Sequence, residues 1–480
     1  MNLIAISFIF FLLLFAVIGM ASMKFKTEET TDYLLANRSI NPWAAALSAV
    51  ATNNSGFMFI GLIGMAYSIG LSAAWIMIGW VGGDFLTWFF VHKRLRLNSE
   101  ERAANTFSAM LGGYYPSRAD GRQPVTVAAA VLTLLFLGTY AAAQLTAGSK
   151  ALNVLFGWPY ATGAIIGAAL VAFYCYAGGI RASIWTDVAQ SIVMFVAMIL
   201  LLITSQFALG GPVAFVHALY GIDPHLASLW PQHTALGPLL FCLGWFFGGL
   251  GTVGQPHIMV RFMTLADAQQ MKAARNIYIS WYTLFAIGAV LVGAATRVLL
   301  PELQGMDPEL ALPALAETLL PQILIGLTLA AIFAATISTA DSQILSASAA
   351  LTQDLFPQWA NDYRLAKFGT LGVTALVLLI ALVGPGSVFF MVTLSWAVLG
   401  ATLAPLLVLH LFGRTPAQTV ALAMMATGLI VVMLWEYYWQ LGNAVYSIMP
   451  GMLAALAVGL LHPSTWRETD AEVQAENQAE

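Results

Sequence analysis

The chain has 480 residues, of which 60% are hydrophobic and only 9% are charged, and its formal net charge is −4. Soluble domains typically contain about 25% charged residues, so this composition excludes an ordinary soluble domain and indicates a protein that lies mostly in lipid. The two cysteines, Cys175 and Cys242, lie inside apolar stretches and give no basis for a disulfide framework or a cysteine-based metal site.

Long apolar stretches recur along the whole chain. A membrane-spanning helix needs about 20 apolar residues, and the sequence offers about thirteen candidates. They are 2–22, 43–70, 73–91, 125–148, 159–176, 186–209, 238–259, 277–300, 321–352, 368–383, 388–412, 418–437 and 444–461. This pattern predicts an all-α polytopic membrane protein with a transmembrane domain over residues 1–462. We expect the acidic tail at 463–480 to be disordered and cytoplasmic.

The distribution of Lys and Arg predicts the orientation, because these residues favour the cytoplasmic side of a membrane. With the N-terminus outside, all but Lys150 and Arg297 of the 19 basic residues fall on the cytoplasmic side. The opposite orientation reverses this count. We therefore expect a multi-pass protein of the bacterial inner (plasma) membrane, with its N-terminus outside and its C-terminus in the cytoplasm.

The second span contains five consecutive small or polar residues, Thr52–Gly56, in the stretch TNNSG. Non-helical backbone at membrane depth is tolerated only where it is buried in protein or lines a cavity. Discontinuous helices of this kind build the central site of many secondary transporters, and we favour that interpretation here. The alternative is an intact helix whose polar face packs on neighbouring helices.

The seventh span is rich in glycine. Three of its glycines match a dinucleotide-binding spacing, but no strand precedes them, so we reject that interpretation. Close helix packing through small residues and a second discontinuous helix remain, and we favour the second. The glycines are Gly244, Gly248, Gly249, Gly251 and Gly254, followed by Pro256.

In the ninth span, Ala335, Ser338 and Thr339 stand at positions i, i+3 and i+4 and therefore share one helix face. Two hydroxyls on one face, beside the carbonyls of an unwound segment, can replace the water shell of a small cation such as Na⁺. The pattern is weak by itself, because serine and threonine in membrane helices commonly bond to their own helix or to a neighbouring one.

Three carboxylates lie in or near the spans, and intramembrane charges are functional candidates by default. We expect Asp84 to be a hydrogen-bonded carboxylate inside the bundle. Asp187 follows a basic segment, and a salt bridge with Arg181 at the cytoplasmic gate is one interpretation. His257 is expected to be a hydrogen-bonded residue at a helix end.

Several stretches together identify a family resemblance. They are ANRSINPWAAALSA, GTYAAAQLTAG, GGIRASIWTDVAQ, GQPHIMVRFM, and AAIFAATISTADSQIL followed by TQDLF. Through them the chain resembles the sodium:solute symporter family, and most closely its sodium/proline symporters. The resemblance implies a leucine-transporter-like fold with inverted five-helix repeats at about 43–209 and 238–412, flanked by further helices. The discontinuous second and seventh spans are then the first helices of the two repeats.

The resemblance also implies site residues. The sodium site would use the backbone carbonyls of Ala51, Asn54 and Ala335 and the hydroxyls of Ser338 and Thr339. The solute cavity would be lined by Ser55, Gly56, Phe57, Tyr140, Gly248 and Thr252, with Trp245 close by in sequence.

The chain departs from the proline carriers at several of these positions. They usually have Trp at the position of Phe57, and Trp and Tyr at the positions of Gly248 and Thr252. The two lost aromatic residues predict a larger cavity of different polarity, unless Trp245 fills the space. They also usually have Asp at the position of Asn53.

A second cation or proton site is the further expectation, at Asp187, Asp341 and Ser342. Ser342 and Asp341 share a helix face with Ser338, and in some relatives the matching positions line a second sodium site. Two carboxylates close together repel each other unless a cation or a shared proton lies between them. The alternative is that each pairs with a basic residue at the cytoplasmic gate.

The sequence thus predicts a secondary active transporter that couples sodium entry to uptake of a small organic solute. Proline is the leading candidate, and another amino acid or a small carboxylate is the alternative. We expect sodium as the coupling ion, no organic cofactor and no nucleic-acid partner. A membrane enzyme is disfavoured, because no metal set and no activated nucleophile is evident; a sensor or receptor on the same fold is a further alternative.

Overall fold

The computed structural model describes residues 3–25, 27, 29–117, 122–232, 234–360 and 362–466, and this part of the chain is nearly all helical. The α-helices are α1 (Leu3–Ser22), α2 (Thr30–Leu35), α3 (Pro42–Gly56), α4 (Leu62–Ile69), α5 (Ala74–Phe90), α6 (His92–Glu101), α7 (Phe107–Gly112), α8 (Pro124–Phe156), α9 (Tyr160–Ala208), α10 (Pro212–Ile222), α11 (Pro238–Leu250), α12 (Pro256–Met263), α13 (Met271–Leu299), α14 (Ala311–Leu319), α15 (Gln322–Ala349), α16 (Tyr363–Val383), α17 (Val388–Leu411), α18 (Gln418–Met433) and α19 (Ile448–Leu461).

Short segments of tighter or wider helix connect or extend these elements. The 3₁₀ segments are Met23–Phe25, Ala36–Arg38, Gly70–Ala73, Gly251–Gly254, Ala268–Gln270, Pro301–Leu303, Pro308–Leu310 and Pro357–Trp359. The π-helical segments are Phe57–Gly61, Ala350–Leu355 and Leu434–Tyr438.

In the described residues, nine helices are long and apolar enough to cross a membrane, or ten when the bent pair α11–α12 counts as one span. The expected number of thirteen spans is therefore not confirmed. Two helical runs of 49 residues, Pro42–Phe90 and Tyr160–Ala208, continue through connections that the apolar pattern places between separate spans. Each run changes direction at a glycine with positive φ, +67° at Gly70 and +58° at Gly179.

Burial separates central helices from peripheral ones. In the most apolar stretch of each helix, 89% of α17 and 83% of α15 is buried, whereas only 22% of α1 and 28% of α16 is buried. The central helices therefore pack on other helices around their whole circumference, and the peripheral ones leave apolar faces for lipid.

The start of the expected disordered tail is instead ordered. Ser464–Trp466 forms strand β2, which pairs antiparallel with β1 (Arg414–Pro416), with Thr415 opposite Thr465. Residues 467–480 lie outside the described residues.

Both expected helix breaks are confirmed. α3 begins at Pro42 behind the capping side chain of Asn41 and is interrupted at Ser55, whose φ of 27° is not helical. The seventh span consists of α11 and α12, joined by the 3₁₀ segment Gly251–Gly254 and the extended residue Gln255, and it bends by 52°.

The glycines of the seventh span also allow close helix packing. The discontinuous helix and the packing through small residues are therefore both present in this span. A Cβ atom on Gly249 would lie 2.0 Å from the carbonyl oxygen of Trp80, and one on Gly254 would lie 2.9 Å from the Cα of Gly400. Any side chain at these positions would push α5 or α17 away from the break.

Candidate functional site

The break in α3 is held by polar contacts with its own turn and with α8. The hydroxyl of Ser55 accepts a hydrogen bond from the Phe57 amide at 3.0 Å, and the hydroxyl of Tyr140 donates to Ser55 Oγ at 3.3 Å. The Gly56 amide donates to Oε1 of Gln144 at 2.7 Å. These contacts satisfy backbone groups that the interrupted helix leaves free, as a buried break requires.

The two hydroxyls predicted from α15 lie directly beside the unwinding end of α3. Ser338 Oγ lies 3.3 Å from the carbonyl oxygen of Ala51 and 3.1 Å from that of Ala335. Thr339 Oγ1 lies 2.9 Å from the carbonyl oxygen of Thr52 and 3.0 Å from that of Ala335. The structure thus gathers three carbonyl and two hydroxyl oxygens in one buried place, which is the ligand type that sodium prefers.

Asn54 is placed differently from the other four predicted residues. Its side-chain amide donates to the carbonyl of Val50 at 3.0 Å, and its own carbonyl accepts from the Phe57 amide at the break. Among the described contacts, the carbonyl of Thr52 meets the Thr339 hydroxyl, and Asn54 is not a partner of either hydroxyl. The sequence did not single out Thr52 as a carbonyl donor.

Asp187, Asp341 and Ser342 lie together around a buried arginine that the sequence analysis did not assign. Nη2 of Arg261 is 3.5 Å from Oδ2 of Asp187 and 4.0 Å from Oδ1 of Asp341. It also donates to the hydroxyl of Ser342, and Ser342 Oγ is 3.1 Å from Oδ1 of Asp341. The positive charge that two neighbouring carboxylates require is therefore supplied by the protein itself.

The salt bridge between Arg181 and Asp187, one of the two interpretations of Asp187, does not form. Arg181 pairs with Asp32 at 2.5 Å, whereas Asp187 accepts a 2.6 Å hydrogen bond from Ser48 and faces Arg261. Arg181 follows the kink at Gly179 and points towards α2, which accounts for the exchange of partners. Arg261 was visible as the only arginine or lysine in GQPHIMVRFM, but nothing in the sequence joined it to α9 or α15.

A cluster of aromatic rings surrounds the two breaks, and Trp80 is at its centre. Its ring centroid lies 5.4 Å from Phe57, 5.7 Å from Trp245, 4.8 Å from Trp396 and 6.2 Å from Tyr446. Phe57 and Trp245 were predicted to line or approach the cavity, whereas Trp80, Trp396 and Tyr446 were not. Offset and edge-on contacts at these distances stabilise ring pairs beyond simple burial.

The space beside Gly248 is occupied by Tyr446, which lies just before α19. Trp245 stacks on Tyr446 at 4.6 Å, and the Tyr446 hydroxyl donates to the carbonyl of Thr393 at 2.7 Å. The indole of Trp396 donates to the carbonyl of Gly248 at 2.8 Å. The side chains nearest to a Cβ atom at 248 would be Tyr446, at 3.1 Å, and Trp80, at 3.8 Å, so these two rings rather than Trp245 fill the gap that the glycine was expected to leave.

Two polar side chains near the cluster are buried and unpartnered in the described part of the chain. The hydroxyl of Thr252 and both ring nitrogens of His257 have no hydrogen-bond partner there. His257 lies at a helix end as expected, but the expected hydrogen bond is not formed with any described residue. Its ring lies 5.5 Å from Tyr140, so both groups are placed where a polar ligand at the breaks could use them.

Comparison with known proteins agrees with this arrangement. A model of the sodium:solute symporter family matches residues 33–428. The chain is 34% identical over 442 residues to the high-affinity proline transporter PutP of Bacillus subtilis, and the matched region covers 90% of this chain and 92% of that protein. It is 30% identical over 487 residues to a sodium/proline symporter of Staphylococcus aureus, covering 96% of this chain and 93% of that one.

Solved structures agree on the fold. The structure of a sodium-coupled sialic acid symporter, in a substrate-bound outward-open state, superposes with a TM-score of 0.79 at 19% identity and covers 97% of this chain and all of that one. The structure of MhsT in complex with L-phenylalanine gives a TM-score of 0.54 at 13% identity. The match covers 87% of this chain and 97% of that chain. These neighbours have the leucine-transporter fold, as the family resemblance implied. The chain belongs to the sodium:solute symporter family.

Proposed function

We propose that this membrane protein carries proline into the cell together with sodium. Sodium-coupled solute symport follows from the family, and the substrate is the further step. Proline is favoured because the relatives at 30–34% identity are named as proline transporters along nearly their whole length. Another amino acid or a small carboxylate is the alternative within this class, and a membrane sensor on the same fold is the alternative outside it.

The observation that carries the sodium part is the position of the Ser338 and Thr339 hydroxyls at the unwinding end of α3. We propose that Na⁺ binds among these hydroxyls and the carbonyls of Ala51 and Ala335, with Thr52 as an additional ligand. The Asn54 carbonyl stays a prediction. Because the ligands come from both α3 and α15, a bound ion would hold the two helices together. Sodium binding would therefore favour the conformation in which the break of α3 packs on α15.

The substrate part rests on the groups around the two breaks. Tyr140 and Thr252 offer hydroxyls for a carboxylate or an ammonium group, and Phe57 and Trp245 offer apolar walls for a small ring. Ser55 and Gly56 lie at the break itself, and Tyr446 beside Gly248 keeps the site small. A compact zwitterion with one apolar face suits this combination.

Binding of candidate substrates to the purified protein tests the substrate assignment. A ligand that binds only the folded state raises its stability by about 2.7 kcal/mol at one hundred times its Kd. We expect proline to raise the midpoint of thermal unfolding in sodium and to have little effect in potassium. A larger, sodium-dependent shift with another amino acid or with a small carboxylate would replace proline with that solute.

The second cation or proton site at Asp187, Asp341 and Ser342 also stays a prediction. Arg261 lies at the two carboxylates, so it must move away before a cation binds between them. Ser342 connects this predicted second site to the proposed sodium site. Its hydroxyl lies 2.6 Å from the carbonyl oxygen of Ser338 and 3.0 Å from the hydroxyl of Thr52.

A further inference from the structure

Asp84 is a buried carboxylate at the contact between α5, α13 and the broken helices. It is 0% exposed and forms no ion pair with any described residue. α11 packs tightly on this turn, because a Cβ atom on Gly249 would lie 2.6 Å from the Asp84 amide nitrogen. An isolated ionised carboxylate in such surroundings costs several kcal/mol, and a bound proton removes that cost.

The hydrogen bonds around Asp84 show which oxygen can hold a proton. Asn53 donates from Nδ2 to the hydroxyl of Tyr278 at 2.6 Å, and that hydroxyl donates to Oδ2 of Asp84 at 2.8 Å. Oδ2 is therefore an acceptor. Oδ1 of Asp84 has no partner in the described part of the chain, and neither does Oδ1 of Asn53. A proton on Asp84 accordingly belongs on Oδ1, the oxygen that accepts no hydrogen bond in the described part of the chain.

The described groups that surround the carboxylate supply no permanent positive charge. Tyr278 and Tyr282 face it from α13, and from α5 the indole N–H of Trp88 points a donor at the carboxylate. His92, at the start of α6, stacks on Trp88 at 4.1 Å, and burial lowers the pKa of His92 to about 3, so its ring is neutral at physiological pH. The Trp88 and Tyr278 donors can stabilise the ionised carboxylate, but no formal positive charge does so.

The same chain of contacts leads to the proposed sodium ligands. Asn53, at the end of the Asp84–Tyr278–Asn53 chain, is the neighbour of Thr52, whose carbonyl meets the Thr339 hydroxyl. We propose that Asp84 binds a proton that competes with sodium, so that protonation of Asp84 weakens sodium binding at the break of α3. The proposal rests on the proposed sodium site. Physically, the ionised carboxylate adds negative charge near the cation in a low dielectric, and the proton removes that charge.

Sodium binding to the purified full-length protein at several pH values tests the proposal. The readout is the sodium concentration that gives half of the maximal rise in the unfolding midpoint. Couplings between sites are typically 5- to 150-fold, so we expect this concentration to rise about tenfold in the unsubstituted protein as the pH falls from about 8.5 to about 5.5. Asp84→Asn should show a pH-independent value close to the low-pH value of the unsubstituted protein.

Asp354→Asn is the matched control. Asp354 is also buried, accepts hydrogen bonds from the Thr106 hydroxyl at 2.9 Å and forms no ion pair with any described residue, but it lies in the π-helical segment Ala350–Leu355 that follows α15. This variant should keep the full pH dependence. If Asp84→Asn does not fold, Tyr278→Phe removes the hydroxyl between Asn53 and Asp84 while keeping the carboxylate. This variant should reduce the pH dependence of the sodium concentration that gives the half-maximal rise.

The outcomes separate this proposal from the proposed function. If sodium stabilises the unsubstituted protein at no pH, the sodium site is wrong and the coupling falls with it. If sodium stabilises the protein but Asp84→Asn and Tyr278→Phe keep its pH dependence, only the Asp84 assignment is wrong. If Asp84→Asn lowers the Hill coefficient for sodium and leaves the pH dependence intact, Asp84 ligates a sodium ion, which also contradicts the proton assignment.

Discussion

The ring of Tyr446 packs directly on Gly248, where a Cβ atom would lie 3.1 Å from Cε1 of the tyrosine. The glycine therefore makes room for a ring that arrives from a distant part of the chain. An aromatic side chain at 248 and the tyrosine at 446 cannot both occupy this space. The absence of an aromatic residue at 248 is thus compensated within the same site.

Tyr446→Ala should enlarge the solute cavity and relax its selectivity. Lost contacts around a small ligand cost binding energy, so we expect the apparent affinity for proline to fall about tenfold. Amino acids with larger side chains should then compete with labelled proline for uptake. Tyr446→Phe is the control, because it keeps the ring and loses only the hydrogen bond to Thr393. Unchanged selectivity in Tyr446→Ala would show that the ring lies outside the solute's path.

Ser338→Ala and Thr339→Ala should each raise the sodium concentration needed for half-maximal uptake. Loss of one ligand worth about 1–2 kcal/mol predicts roughly a 5- to 30-fold increase. Thr328→Ala is the matched control on the same helix, because its hydroxyl bonds to its own helix at the carbonyl of Leu324. If both variants keep the sodium affinity of the unsubstituted protein, the two hydroxyls only pack α15 against α3.

Asp187→Asn and Asp341→Asn test the predicted second site. If a second sodium ion or a proton binds there, both variants should lower the Hill coefficient for sodium or abolish the pH dependence of uptake. Unchanged values in both variants would mean that the carboxylates serve only to neutralise Arg261. Sodium-dependent uptake into proteoliposomes provides the measurement.

Arg261→Gln should strongly destabilise the protein, because it leaves two buried carboxylates without a counter-charge. Breaking a buried ion pair by removing one partner typically costs about 3–5 kcal/mol. The triple variant with Asp187→Asn and Asp341→Asn removes all three charges and should recover part of this loss. Denaturant unfolding in detergent gives the comparison, and equal stability of the single and triple variants would contradict the charge pairing.

The local features of the site could be predicted from the sequence, and the long-range ones could not. The break at Ser55 follows from five adjacent small or polar residues, and the shared face of Ser338 and Thr339 follows from helical spacing. Arg261 and Tyr446 were missed because their partners lie in other helices, and a single sequence holds no signal that joins them. Asp84 was predicted to be hydrogen-bonded, but the identity of its partner Tyr278, 194 positions away, required the structure.

The count of thirteen spans is not confirmed for a related reason. A hydropathy pattern marks polar connections, but it does not show whether the backbone remains helical through them. At Gly70 and Gly179 the chain turns within continuous helical runs, because glycine adopts positive φ without steric cost. The pairing of Ser464–Trp466 with Arg414–Pro416 was likewise invisible to composition.

Solute uptake driven by a sodium gradient tests the central claim most directly. One Na⁺ moving down about 100 mV releases roughly 2.3 kcal/mol, and a tenfold gradient adds about 1.4 kcal/mol, so one ion per solute could support about 500-fold accumulation of a neutral solute. Proteoliposomes containing the purified protein should accumulate labelled proline when sodium is high outside and low inside. Equal uptake with potassium in place of sodium on both sides would contradict sodium coupling.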